Sequence, residues 1–379
     1  MAENSKKKKK GSAKSSKSGQ SKKASARERE KKKRGKIILF IVEIFVLLIM
    51  AAVLYAVLKV EKVGKVELNE EKLVINEEVK ERAETTKMKG YRNIALFGVD
   101  ARHGETARSD AMIVLSVDGK RGKVKMSSLM RDAYVEIEDH GKTKLCHAYA
   151  YGGPECAIKA INQNYDLDIT DYATVNFNQM AKLIDAIGGV EVDVSETEMK
   201  EANKFVWEYC METGDKFQYI EKAGPQTLTG MQAVAYGRIR KGGTGGDTAR
   251  TGRQQVVLEA MMQKVMDMSV LRYPALAAKL MPMVETSMTS GEILNLATTV
   301  MKGGKPQIEK ETFPAAGDWQ GKTTSGGMWV AAYDDALCVE KMHKFIYDDL
   351  TLAEQAEQAK QQEGTQKQPA ETQKQPAGK

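Results

Sequence analysis

Residues Ile37–Leu58 form an apolar run of 22 residues with one charge, Glu43. As a helix this run is about 33 Å long, enough to cross a bilayer. A cleaved signal peptide is the rival, but its apolar region is shorter and ends in an A-x-A-like site. No such site closes this run, so it is read as an uncleaved transmembrane anchor. Residues 1–36 hold 16 Lys and Arg against 3 Glu, a net of +13, so the remainder carries −6 of the total +7. The positive flank stays in the cytoplasm and places everything after Leu58 outside. Glu43 falls roughly 9 Å in from the cytoplasmic end by helix rise, where snorkelling or helix pairing suits it better than catalysis. The tail itself, mostly Lys, Ser, Gly and Ala, is expected to be disordered and to hold anionic membrane lipid. It has no aromatic or Arg-rich reading element beside it, which argues against a nucleic-acid partner.

Residues 59–90 are charged and mixed, the pattern of a stalk. From Tyr91 apolar runs alternate with helical patterns. Candidate strands are 93–99, 111–117, 123–128, 134–137, 173–177 and 190–194. Candidate helices are 155–165, 178–187, 196–211, 230–236, 248–268, 273–284, 291–301 and 334–350. Asn178 is the expected cap of the second helix and Gly188-Gly189 its stop. The alternation predicts an α/β domain, one sheet with helices on both faces, as a single unit over 91–349. Residues 350–379 are rich in Gln, Lys, Glu and Ala, carry a doubled TQKQPA, and are expected to be a disordered low-complexity tail.

Chemistry concentrates in two stretches. In Asn93–Asp110, NIALFGVDARHGETARSD, one apolar run ends at Asp100 and another begins just after Asp110. Two carboxylates at one sheet edge suit a hard cation such as Mg2+, although Asp is also a turn former. The second stretch carries Arg238, Arg240, the glycine loop Gly242–Gly246, then Asp247, Arg250, Arg253 and Gln254. Arg238 and Arg240 share a face if extended, and Asp247 or Thr248 can cap a helix on which Arg250 and Gln254 are neighbours. Four Arg, a glycine loop and a helix start describe a site for a multiply charged phosphate; a solvated, salt-bridged surface is the plainer alternative. Between the two lies Ser127-Ser-Leu-Met-Arg131-Asp132, then Lys144 and the loop His147–Gly153 leading into a helix.

Other signals fail. Gly141-Lys-Thr143 lacks the first P-loop glycine, since Glu136 stands there, and Gly321-Lys-Thr323 has Gly317 one residue too close. No G-x-S-x-G or H-E-x-x-H occurs, and His103, His140, His147 and His343 are too scattered for a zinc site or a Ser-His triad. Cys146, Cys156, Cys210 and Cys338 show no metal spacing; Cys146 and Cys156 can bridge or remain buried thiols. Nine Met between Met261 and Met328 suit adaptable packing or the lining of a greasy tunnel.

The pieces GVDAR, RSDAMIVLSVD, SSLMRD, KLCHAYAYGGP, VNFNQMAKLIDAIGGVEVDV and LTGMQAVAYGRIR…DTARTGRQQ, in that order over about 93 to 255, resemble the LytR–CpsA–Psr family of bacterial cell-envelope proteins. The resemblance implies an α/β/α sandwich with an apolar pocket for a polyprenyl chain. It implies an enzyme of the membrane's outer side that moves a glycopolymer, such as teichoic acid or capsule, from a polyprenyl-pyrophosphate carrier to peptidoglycan. It places Asp100 and Asp110 as Mg2+-associated catalytic residues, and Arg131, Arg238, Arg240 and Gln254 as pyrophosphate-binding, with Lys144 at a basic position beside them. Arg102 and Asp132 fall with the catalytic motifs, Arg250 and Arg253 with the substrate-binding ones. Two positions depart from the family pattern: Met130 replaces Pro, and Cys146 replaces Asn before the His-Ala-Tyr segment. Both bear on loop geometry. The expected chemistry is attack by a peptidoglycan hydroxyl on the phosphorus nearer the glycan, chiefly through positioning and charge stabilisation. A pyrophosphatase, a lipid-binding scaffold and a transcriptional attenuator are the alternatives.

Overall fold

The structure is a computed structural model, and it describes residues 68, 73, 75, 90–100, 107–243, 245–302 and 304–366, with backbone only at 100, 247, 248, 270 and 362–366. The chain divides into two units, Met1–Leu58 and Lys59–Lys379, and every described residue belongs to the second. The basic tail and the apolar run 37–58 therefore lie outside the described residues, as does nearly all of the stalk. Among the described residues, no helix is long and apolar enough to cross a membrane.

Twelve strands and nine α-helices are described: β1 Tyr91–Asp100, β2 Arg108–Asp118, β3 Lys123–Leu129, β4 Tyr134–Ile137, β5 Gly141–Lys144, α1 Leu145–Tyr165, β6 Asp171–Asn176, α2 Phe177–Ala186, β7 Val190–Val194, α3 Glu196–Thr213, β8 Gly224–Leu228, α4 Gly230–Gly237, α5 Gly246–Met266, α6 Tyr273–Leu280, β9 Glu285–Thr286, α7 Ser290–Met301, β10 Gln307–Phe313, β11 Trp319–Thr323, β12 Trp329–Tyr333, α8 Asp335–Tyr347 and α9 Leu352–Gln366. The main sheet has the order β10-β3-β2-β1-β6-β9. It is mixed: β1, β2 and β3 run as an antiparallel meander, while β6 joins β1 and β10 joins β3 in parallel.

The period of two along the strands sorts the side chains. Ala95, Phe97 and Val99 of β1, with Met112 and Val114 of β2, enter a core built with α1 and α8. Leu96, Gly98, Ala111 and Ile113 face the other way, toward α2, α4 and α5. A second core lies among β7, α3, α4 and α5. Helices thus cover both faces of the sheet, which is why its central strands read as nearly continuous apolar runs.

Several local expectations are corrected. Asn176, not Asn178, caps α2: its side chain accepts from the Gln179 amide and Gln179 reaches back, a reciprocal box that ends β6 and starts the helix in one step. The stretch His147–Gly153 is helical rather than a loop. Gly152 and Gly153 kink α1, Gly153 at φ 64°, and Pro154 restarts it. β10 escapes sequence reading because QIEKETF, an edge strand, is mostly half-exposed and polar. The expected disordered tail from 350 begins instead as α9. Thr351 and Glu354 form its hydrogen-bonded start, and Gln355 donates to the Lys341 and Leu350 carbonyls. Ala, Gln, Glu and Lys are good helix formers, so a low-complexity composition did not exclude a docked helix. Cys146 and Cys156 are free thiols, with Cys146 fully buried against the α1 core.

Candidate active site

The register between β1 and β2 slips at one place. Gly98 pairs with Ala111 and Val99 with Ser109, which leaves Asp110 as the extra residue of a bulge. A bulge twists the strand and re-aims the side chain it carries. Here it aims Asp110 at three guanidinium groups from distant segments. Arg131, just beyond β3, donates through Nη1 to Asp110 Oδ1. Arg240, after α4, donates through Nη2 to Oδ2 at 3.1 Å. Arg250, in α5 and only 2% exposed, lies 3.7 Å from Oδ2 through Nη1 and donates through Nη2 to the Asp110 carbonyl at 3.4 Å. Beside them Asp132 pairs with Lys144 at 2.7 Å and lies 3.9 Å from Arg131 Nε.

Next to this cluster opens an apolar cavity of about 240 Å3. Its floor is the sheet, with Gly98 and Ala111 directly beside the bulge, then Ala173 and Val175. Its walls come from α2, α4 and α5, through residues such as Met180, Ala233 and Met261. Gln254, one helical turn after Arg250, is among its few polar linings. The shape is that of a ligand pocket, an apolar interior with polar groups gathered at one place.

The sequence-derived candidates distribute unevenly over this geometry. Asp110, Arg131, Asp132, Lys144, Arg240 and Arg250 converge, and Gln254 lines the cavity. Asp100 ends β1 opposite Arg108, at the same sheet edge. Arg102 lies outside the described residues. Arg238 takes another position: its guanidinium lies 5.0 Å from the Phe177 ring and 4.9 Å from the Phe205 ring, with Glu208 at 3.4 Å. Phe177 lines the cavity, so Arg238 stands at its wall rather than on Asp110. Arg253 makes its own set of contacts. It is buried and gives its hydrogen bonds to Glu198 (2.8 Å) and to the Ile239 carbonyl (3.2 Å). Through the latter it clamps the segment between Arg238 and Arg240. Burial alone would raise the Glu198 carboxyl, but Arg253 and Ser195 outweigh it and hold it below its ordinary value.

Sequence reasoning passed over His147. Its Nδ1 lies 2.8 Å from Thr143 Oγ1. Burial, then the charges of Arg108, Lys144 and Arg131, hold its imidazole below the ordinary value, which favours the neutral ring near pH 7. The Phe177–Phe205 pair around Arg238 was also missed, because two aromatic residues so far apart in the chain give no local signal.

Among the described residues, no group of three His, Cys, Asp or Glu side chains could by itself hold a metal ion. Mg2+ needs no such cage: it keeps several waters and takes one or two carboxylates together with substrate phosphates. The hard oxygen donors of Asp110, with Asp100 ending the neighbouring strand, fit that requirement in kind.

Comparison with known proteins agrees with this architecture. The teichoic acid transferase TagU of Oceanobacillus iheyensis is 35% identical over 196 residues, 50% of this chain and 56% of the relative. The chain thus spans little more than half the length of that relative. Among solved structures, TagT bound to LIIa-WTA superposes with a TM-score of 0.56 at 24% identity, over 69% of this chain and 92% of that one. TagT with bound octaprenyl pyrophosphate lipid gives 0.52 at 22% identity, over 69% and 92%. At these identities the structural likeness speaks for the fold. The LytR_cpsA_psr family model matches residues 55–339, a span that contains the bulged carboxylate, its arginines and the apolar cavity, and the chain belongs to that family.

Proposed function

We propose that this chain is a phosphotransferase that moves a glycopolymer from a polyprenyl-pyrophosphate carrier onto peptidoglycan. The observation that carries the reading is the meeting of three guanidinium groups with an apolar cavity at the Asp110 bulge. Such a site matches a ligand with a doubly phosphorylated head and a hydrocarbon tail. The names of TagU and of the ligand-bound TagT structures describe ligands and substrates of that kind.

In this mechanism the cavity holds the polyprenyl chain, and Gln254 sits where chain gives way to head group. Arg131, Arg240 and Arg250 leave the Asp110 carboxylate for the phosphate oxygens and neutralise charge that builds during transfer. Mg2+, held by Asp110 and Asp100, would add further neutralisation of that charge. A peptidoglycan hydroxyl oxygen bonds to the phosphorus nearer the glycan, the bond from that phosphorus to the bridging oxygen breaks, and polyprenyl phosphate leaves in line. Asp100 is the proposed acceptor of the hydroxyl proton. The run 37–58, as a single-pass anchor with the basic tail in the cytoplasm, would confine this domain to the leaflet that carries the donor.

The test is transfer by the purified full chain from a defined lipid-linked donor to peptidoglycan. Arg240→Ala and Arg131→Ala are expected to lower it about 100-fold or more, the scale of losing one charge-stabilising group. Full transfer by both variants would sink the mechanism. Release of free glycan phosphate instead of a glycan–phosphate–peptidoglycan linkage would make the chain a pyrophosphatase.

A further inference from the structure

Two aromatic rings stand open beside the site without belonging to any core. Trp329, at the start of β12, is 45% exposed, and Tyr151, in the first segment of α1, is 46% exposed. Both are joined to the reaction centre by short contacts. The Lys144 ammonium, which pairs with Asp132, lies 5.9 Å from the centre of the Trp329 ring. Thr143 touches His147 on one side and the Met328 sulfur, 3.7 Å away, on the other. His147 in turn meets the edge of Tyr151 at 6.1 Å.

Each ring is supported by neighbours and stays nearly half exposed. The Trp329 indole lies against the backbone of Gly321, where a Cβ would come within 3.0–3.2 Å of three of its ring atoms, and Trp319 meets it edge-on at 6.3 Å. Tyr151 stacks on His140 at 3.9 Å. A hydrophobic core does not account for two supported but open rings. The hairpin β11–β12 is also fixed to the site's own backbone: Ala331 bridges to Ala133, and its amide donates to the Asp132 carbonyl at 2.8 Å.

Position decides the ligand. Ala133 and Ala331 belong to the core on the α1 face of the sheet, whereas the lipid cavity opens on the opposite face. In an in-line displacement the attacking and leaving oxygens lie on opposite sides of phosphorus. If polyprenyl phosphate leaves toward the cavity, the attacking sugar arrives from the side that carries Trp329 and Tyr151. We infer that these two rings form the acceptor subsite, a platform on which pyranose rings of the peptidoglycan glycan strand stack through their apolar C–H faces. A flat ring buries those faces at low conformational cost. This inference rests on the transferase reading and names the side from which its second substrate comes.

The experiment is direct binding, without turnover, of a soluble N-acetylglucosamine–N-acetylmuramic acid tetrasaccharide to the full chain in detergent micelles. Trp329→Leu keeps apolar bulk but removes the flat face, and is expected to weaken binding about 10-fold, as when an interface aromatic is truncated. Trp329→Phe should lose less, and Tyr151→Ser should weaken binding independently. Retention of polyprenyl lipid, read by mass spectrometry of the purified protein, should be unchanged in all three. Wild-type tetrasaccharide affinity in the folded Leu variant overturns the inference. It is equally overturned if Trp329→Leu leaves the tetrasaccharide alone and instead weakens binding of the donor's glycan head group. A chain that binds the tetrasaccharide through Trp329 but retains no polyprenyl lipid contradicts the donor side of the proposed function and leaves the platform standing.

Discussion

Asp110 has two neighbours in β1 and pairs with neither, and that irregularity puts one carboxylate among Arg131, Arg240 and Arg250. In the proposed mechanism the carboxylate stands where an incoming phosphate oxygen would go, so it would both order the guanidinium groups and compete for them. Asp110→Asn keeps the shape and removes the charge. Transfer is expected to fall about 100-fold or more, and the fold to lose about 1–2 kcal/mol, less than a fully buried pair because Asp110 is partly exposed. Inorganic pyrophosphate should nevertheless raise the melting temperature of the variant more than that of the wild type, since nothing then competes for the cations. Thermal shift measurements with and without pyrophosphate decide this; equal shifts would remove the competing role. The acidic and basic candidates were legible in the chain because they cluster at the ends of apolar runs and fall within ordered motifs. The roles of Arg238 and Arg253 were not. One is set by the rings of Phe177 and Phe205, the other by Glu198, and none of these is near them in sequence.

At the level of elements, α2 and α4, two walls of the cavity, come unusually close to each other. A Cβ on Gly230 would lie 1.9 Å from the Ala181 carbonyl oxygen, and the Gly230 amide already donates to Asp185 at 2.7 Å. Gly230→Ala must push the two helices apart. The expected cost is about 1–3 kcal/mol or more, read as a lower midpoint in chemical denaturation. The same displacement should reduce the polyprenyl lipid that remains bound through purification. An unchanged midpoint would mean that the helices tolerate separation and that their contact does not define the cavity. Helices with a clear apolar period and strands with apolar runs were readable from local sequence. The kink at Gly152-Gly153, the polar edge strand β10 and the docking of α9 were not, because each depends on what packs against it.

For the described unit as a whole, the end of β3 remote from the site carries a second charged centre. Lys125 is fully buried and donates to the Phe345 carbonyl at 2.6 Å, with Asp349 at 2.8 Å and Glu309 at 3.1 Å. This knot ties the sheet to the C-terminal end of α8. Burial alone would raise the Asp349 carboxyl, but hydrogen bonds from Lys125 and Lys123 prevail and hold it below its ordinary value. A lowered folded value means stability that is complete above the ordinary carboxylate pKa of about 4 and lost as pH falls through the folded value. Asp349→Asn, which tolerates the residue's φ of 61°, should cost about 1–3 kcal/mol near neutral pH. Its denaturation midpoint should converge on the wild type's as the medium becomes acidic; parallel curves down to pH ~2 would show that the charge carries no stability. What the sequence by itself determined was the class of fold, the apolar runs that become the central strands, the family and the inventory of charged groups, since periodicity and ordered motifs are local properties of the chain. Tertiary structure alone decided which of those groups meet, which arginine became a clamp, and that an apolar cavity opens beside Asp110. Such contacts join residues up to about 140 positions apart, and only burial and packing choose among the partners that each charge could take.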